Sequence, residues 1–198
     1  RREILAIQNP QQRLAGRGQQ GVRVLVLGGS LGARTLNQVV PAALALLPPA
    51  QRPEVLHQCG SAHLQDCQQG YQENSVQAEV RDFIDDMQAA YEWADLVICR
   101  AGALTVAELR AAGIASILVP FPYAVDDHQY HNGRYLAESN AAIMIREQDF
   151  NPDWLSKQLT DLQQHRDKLQ QMAEQARALG FTDASEQVAG AVLQEALS

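Results

Sequence analysis

VRVLVLGGSLGAR, residues 22–34, decides the fold. Val22 to Leu27 is a short apolar run rich in branched side chains, the composition of a strand buried on both faces. It stops at Gly28-Gly29-Ser30, where two glycines let the backbone take positive φ and turn sharply. A helical stretch begins near Ala33 and runs to Leu47, where Pro48-Pro49 ends it. Strand, glycine turn and helix in that order make half of a βαβ unit. Free N–H groups and the dipole at such a helix start favour an anion such as phosphate, and Ser30 can cap the helix or offer its hydroxyl to that anion. A tight turn that holds no ligand is the competing reading. The spacing matches neither G-x-x-x-x-G-K-[ST] nor G-x-G-x-x-G, which excludes the nucleotide-hydrolase loop and speaks against a dinucleotide. The second strand also closes on Gln58-Cys59-Gly60, not on the acid that would hold a dinucleotide's ribose.

The same alternation continues outward. Further strands are expected at 55–59, 76–83, 96–99, 115–119 and 141–145. Helices are expected at 62–70, 85–91, 104–112, 129–138, 152–163, 166–179 and 183–197. Asn151 before Pro152 reads as a cap with proline at the first helical position, and Asp183 with Glu186 has capping-box spacing. Six alternations with short connections and no internal repeat predict an α/β domain, a doubly wound six-stranded parallel sheet with helices on both faces. Residues 1–20 carry Pro10, Gly16 and Gly18 and no opening Met, so they read as a linker into a domain over 21–198, and the chain reads as a piece of something longer.

Composition narrows the function. The 198 residues suit one domain, and 46% hydrophobic with 20% charged residues is globular. A net charge of -7, from 16 basic and 23 acidic residues, speaks against a general nucleic-acid binder while leaving room for a local phosphate site. Cys59, Cys67 and Cys99 lack C-x-x-C spacing and read as reduced thiols of a cytosolic protein. No apolar stretch approaches the roughly 20 residues that span a bilayer, and the start lacks a signal peptide's apolar core, so a soluble intracellular chain is expected.

Sheets of this kind bind ligands at the carboxyl ends of their strands, so the segments after each strand are the place to look. RAGALTVAE (100–108) is a second glycine-bearing strand-to-helix turn. Thr105 and Glu108 have capping-box spacing, and Glu108 is equally able to accept two hydrogen bonds from a vicinal diol such as that of ribose. In FIDDM (83–87) the adjacent acids Asp85 and Asp86 suit a helix N-cap better than a metal, while backbone groups near Ile84 can pair with the edge of a base. No D-x-D occurs. PFPYAVDDHQYHN (120–132) groups Asp126, Asp127, His128 and His131 without any zinc spacing. Its Gln129 and His128 suit sugar hydroxyls, and the plainer reading is an N-cap at Asp126 or Asp127 followed by surface polar residues. His57, His63 and His165 read as structural or solvated. No Ser/His/Asp or Cys/His nucleophile pattern and no G-x-S-x-G elbow is present.

QQRLAG (11–16), GGSLGAR (28–34), FIDDM (83–87), ADLVICRAGALTVAE (94–108), VPFPYAVDDHQ (119–129) and Asn132 together span nearly the whole chain. In this order they resemble the C-terminal half of the family 28 GT-B glycosyltransferases of peptidoglycan synthesis. The resemblance implies an inverting, metal-independent transfer of N-acetylglucosamine from UDP-N-acetylglucosamine to the lipid-linked muramyl-pentapeptide, lipid I to lipid II, with no cofactor. It implies a substrate-binding role for Arg1 at the nucleotide end, Ser30 at the diphosphate and the backbone of Ile84 at uracil. Ala103, Leu104, Thr105, Val106, Ala107 and Glu108 would line the sugar and ribose, with Glu108 on the ribose hydroxyls. Gln129 would meet the donor sugar, beside His128, which stands where family sequences can carry a second glutamine. No catalytic residue is expected in this half. The family's acceptor site, base and membrane-associating patch belong to an N-terminal domain that these residues do not include. The whole enzyme is therefore expected at the cytoplasmic face of the bacterial inner membrane, and this half is expected to bind donor without turning over. A nucleotide-sugar epimerase of the same fold, or a plain nucleotide-sugar binding module, is the alternative, and the order of motifs disfavours the epimerase.

Overall fold

The computed structural model describes residues 2–17, 21–29, 32–123 and 127–180. The elements are α1 (Arg2–Leu5), α2 (Pro10–Leu14), β1 (Arg23–Leu27), α3 (Arg34–Ala45), β2 (Glu54–Gln58), α4 (Leu64–Glu73), β3 (Glu79–Arg81) and α5 (Met87–Trp93). They continue with β4 (Leu96–Cys99), α6 (Ala103–Ala112), β5 (Ala115–Leu118), α7 (His128–Glu138), β6 (Ala142–Met144) and α8 (Pro152–Gln164), followed by α9 over 166–180. The expected helix at 183–197, with Asp183 and Glu186, lies outside the described residues.

All strand pairs are parallel, in the order β3-β2-β1-β4-β5-β6. The expected doubly wound six-stranded α/β sheet is therefore the fold. Central strands are apolar on both faces because helices cover both. Val24 and Val26 of β1 pack with Leu36, Val40 and Leu44 of α3 and Leu155 and Leu159 of α8. Leu25 and Leu27 point the other way, into a layer with Tyr91 of α5, Leu109 of α6 and Leu136 of α7. Each such buried side chain contributes about 1.5–3 kcal/mol. Asn151 caps α8 as expected, accepting from the Trp154 N–H at 3.0 Å, with Pro152 at the helix start.

β3 is shorter than the expected 76–83. Only Glu79–Arg81 meet β2, opposite Leu56–Gln58, while the Val76 N–H turns back to the Tyr71 carbonyl at 3.0 Å.

The stretch read as a linker is, over its described part, folded onto the domain. Ile4 and Ile7 are buried in the second layer. The Arg13 guanidinium, buried, donates to the carbonyls of Ala112 at 2.9 Å and Gly113 at 2.6 Å at the carboxyl end of α6. A cation is well placed there, against the negative end of the helix dipole. Burial, helped by the neighbouring Arg17, lowers the Arg13 pKa to about 10, so it stays charged at neutral pH. Arg17 pairs at 2.7 Å with buried Asp95, whose other oxygen accepts from the Arg23 N–H at 3.0 Å where β1 begins.

Candidate functional site

Strand order reverses between β1 and β4, which opens a crevice at their carboxyl ends. Leu27 and Cys99, the last residues of those strands, are partners across the ladder. The two glycine turns after them consequently start side by side.

The first turn is held by β2. The Gly28 N–H donates to the Gln58 backbone carbonyl at 2.9 Å. The Gln58 side-chain amide grips Gly29, with Oε1 accepting from its N–H at 3.1 Å and Nε2 donating to its carbonyl at 2.9 Å. Nε2 also donates to the Asp82 carbonyl, at 3.1 Å, in the loop after β3. A Cβ on Gly28 would sit 2.9 Å from the Ala33 nitrogen, and one on Gly32, at φ +75°, would sit 2.4 Å from the Cys59 carbonyl oxygen. At Gly28 and Gly32 there is therefore room for backbone only. Ser30 lies outside the described residues, as does Arg1. α3 begins at Arg34 with no side-chain cap from Ala33.

The second turn leads into α6. Gly102 is its N-cap, and among the described residues no side chain caps the helix, which leaves its first-turn N–H groups for another partner. The capping box expected from Thr105 and Glu108 does not form, because the helix starts two residues before Thr105. Glu108 lies in the second turn instead, only 8% exposed, and its Oε2 accepts a hydrogen bond from the Tyr91 hydroxyl at 3.0 Å. Ala103, Leu104 and Ala107 line the exposed face of the helix start, Thr105 is half-buried, and Val106 is buried in the layer that also holds Ile84 and Tyr91. Ile84 follows β3, and just after it Asp86 caps α5 through the Ala89 N–H at 2.9 Å, as the sequence suggested.

The segment after β5 is anchored from β4. Arg100 donates to the carbonyls of Val119 at 3.1 Å and Pro120 at 3.4 Å, pairs with Glu147, and lies over the Phe121 ring. Gln129, half-buried at the start of α7, accepts from the Phe121 N–H at 3.0 Å through Oε1. His128 is the first residue of α7 and is exposed. Asp127 occupies the N-cap position at φ +55° but does not cap. Its carboxylate pairs instead with Arg146 at 3.1 Å, whose guanidinium stacks 4.0 Å from the Tyr130 ring centre. Asp126 lies outside the described residues. Asn132 donates to the Ala101 carbonyl at 3.2 Å and ties α7 to the β4 turn.

Of the expected site residues, Ile84, the 103–108 segment, His128 and Gln129 all follow the carboxyl ends of strands. Three residues were not singled out from sequence as contributors: Gln58, Tyr91 and Arg100. Gln58 carried a signal, as the polar residue standing where an acid would close β2. Tyr91 and Arg100 carried none, since their partners are 17 and 19 positions away.

His57 is away from this chemistry. It is fully buried between the Tyr71 hydroxyl at 2.9 Å and Asn37 Oδ1 at 3.0 Å, and burial lowers its pKa to about 3. Burial likewise raises Cys67 and Cys99 to about 12, which leaves them as unreactive thiols. Among the described residues no three His, Cys, Asp or Glu side chains converge as metal ligands, and no helix is long and apolar enough to cross a membrane.

A profile of the family described as "Glycosyltransferase family 28 C-terminal domain" matches residues 23–188. The UDP-N-acetylglucosamine--N-acetylmuramyl-(pentapeptide) pyrophosphoryl-undecaprenol N-acetylglucosamine transferase of Marinobacter nauticus is 52% identical over 196 residues, 99% of this chain and 54% of its own length. The protein of the same description from Dechloromonas aromatica is 49% identical over 189 residues, 96% of this chain and 53% of its own. The crystal structure of Acinetobacter baumannii MurG matches at a TM-score of 0.80 and 38% identity, over 88% of this chain and 50% of that one. The chain spans about half the length of the curated relatives it matches.

Proposed function

The chain belongs to the glycosyltransferase family 28 C-terminal domain family, and from that premise we propose that it binds UDP-N-acetylglucosamine as the donor half of an N-acetylglucosaminyltransferase of peptidoglycan synthesis. The acceptor, a lipid-linked muramyl-pentapeptide, and contact with the inner-membrane surface fall to the half of the relatives' length that this chain does not span. Transfer with inversion needs a base on the acceptor side and a stabilised leaving group on the donor side. This chain supplies the second.

The observation that carries the reading is the pairing of Leu27 with Cys99, which starts two helices, α3 and α6, from neighbouring strand ends with no side-chain cap among the described residues. Their positive dipole ends and first-turn N–H groups suit a diphosphate, whose negative charge grows as the bond to the sugar breaks. Glu108, in the second turn of α6, has the chemistry to accept hydrogen bonds from the ribose diol. The backbone at Ile84 is suited to the edge of uracil, and Ala103 to Ala107 to the walls of the nucleotide and sugar subsites. Gln129, with His128 beside it, is suited to the sugar hydroxyls. Ser30 and Arg1 join the assignment through the diphosphate turn and the nucleotide end.

Thermal unfolding with and without ligand tests this. Uridine diphosphate at 100 times its Kd stabilises by about 2.7 kcal/mol, a rise in Tm of roughly 5–10 °C for a domain of this size. UDP-N-acetylglucosamine should act similarly, and the chain alone should transfer no sugar to the lipid acceptor. No shift at saturating nucleotide overturns donor binding, and turnover by this chain alone overturns the division of labour.

A further inference from the structure

We infer that Tyr91 is a positioning residue that aims the Glu108 carboxylate at the nucleotide's ribose, an inference that rests on the donor-binding reading above. The last torsion of a glutamate side chain is broad and roughly two-fold, so helix geometry alone does not fix the plane of its carboxylate. A group that must meet two neighbouring hydroxyls has to be held within a few tenths of an ångström, and that takes a rigid neighbour.

Tyr91 has the properties of such a neighbour. It is 0% exposed and packed among Ile84, Val106 and Leu109, with few torsions of its own. Its hydroxyl donates to Glu108 Oε2 at 3.0 Å, from one helix to the next. A hydrogen bond to an ionised acceptor is among the stronger kinds, and in a buried site it fixes direction as well as distance. The placement of α5 adds a second consequence. That helix starts at the Asp86 cap, two residues after Ile84, and carries Tyr91 in its second turn. One short rigid element thus sets both the backbone suited to the base and the hydroxyl that orients the acid suited to the ribose.

The test is calorimetric titration of uridine diphosphate and its 2′-deoxy analogue against the wild-type chain, Tyr91→Phe and Tyr91→Met. Phe keeps the ring, and Met refills the space with an unbranched side chain. Wild type should prefer uridine diphosphate by about 10- to 100-fold, the scale of a hydrogen bond to a charged group. In both variants the preference should shrink to about threefold or less while affinity for the deoxy analogue stays within about twofold. A purely structural tyrosine weakens both nucleotides equally, and that result overturns the inference, as does an undiminished preference in a folded variant. A fluorotyrosine-labelled wild-type chain gives an arm that needs no substitution. Uridine diphosphate should move the Tyr91 fluorine resonance more than the deoxy analogue does, and equal movement counts against the inference. If wild type itself shows no preference, the assignment of Glu108 to ribose fails first, which keeps the two readings separable.

Discussion

Gln58 closes a two-way hydrogen bond on the backbone of Gly29, accepting from its N–H at 3.1 Å and donating to its carbonyl at 2.9 Å. The primary amide supplies both the acceptor and the donor, which a carboxylate cannot. Gln58→Glu removes the donor and sets a carboxylate beside a carbonyl and beside the turn assigned to the diphosphate. Affinity for uridine diphosphate should fall about 5- to 100-fold, in line with ~1–3 kcal/mol for a buried polar group left without its partner. Uridine, which carries no phosphate, should lose much less. Titration of both ligands checks it, and equal losses would mean that the turn does not meet phosphate.

Glu108→Gln separates charge from shape. The amide still offers an oxygen to the Tyr91 hydroxyl, so the apo melting temperature should stay within about 2 °C. Hydrogen bonds to a charged acceptor are worth about 1.5–3 kcal/mol, so uridine diphosphate should bind roughly 10- to 100-fold more weakly. Stability falling while affinity holds would make Glu108 a structural carboxylate.

At the sugar, Gln129→Ala should weaken UDP-N-acetylglucosamine and leave free uridine diphosphate within about twofold. It should also narrow the preference over the N-acetylgalactosamine epimer, as a penalty of about 1–3 kcal/mol for an unpaired polar group disappears. The Phe121 N–H that Gln129 now accepts from is on an exposed residue and can turn to water, so the fold should survive. Three titrations against wild type and variant decide the matter. A uniform loss would assign Gln129 to the loop and not to the sugar.

His57 gives the fold an acid sensitivity. Its pKa is about 3 in the folded chain and near 6.5 when unfolded, so between those values the unfolded state binds the extra proton. Stability from this group is whole above pH 6.5 and is lost as pH falls, by up to about 1.4 kcal/mol per pH unit. Denaturant midpoints from pH 7 to pH 4 should therefore fall less steeply in His57→Gln than in wild type. Parallel pH profiles would remove His57 as the cause.

Gly32→Ala should lower Tm by about 4–10 °C, from positive-φ strain of ~1–2 kcal/mol and the clash with Cys59 together. A circular dichroism melt measures it, and an unchanged Tm would mean that the turn relaxes freely.

The sheet was legible because β1, β4 and β5 are short apolar runs with a glycine or proline within three residues of their ends, and burial on both faces leaves no other place for them. Ends were read less well. β3 ends early because its ladder stops with β2 at Gln58, and starts late because the Val76 N–H turns back to Tyr71, neither of which local sequence records. The Thr105–Glu108 spacing suggested a cap, yet Gly102 starts the helix earlier, and α6 then carries Glu108 inward to meet Tyr91. Asp127 stood where a cap belongs and was drawn off by Arg146, 19 residues away. The segments that form the crevice were legible from turn chemistry. The contacts that hold them still join residues far apart in the chain, and no spacing rule reaches them.

α6 is gripped twice, by Arg13 on its last carbonyls and by Tyr91 on Glu108 in its second turn. A helix pinned twice has little freedom to slide or roll when a ligand arrives. The ordering cost that a mobile loop would charge against affinity has already been met during folding. Nucleotide binding to this domain should therefore show a small entropic penalty, with the α6 amides beyond the first turn slow to exchange hydrogen before any ligand is added.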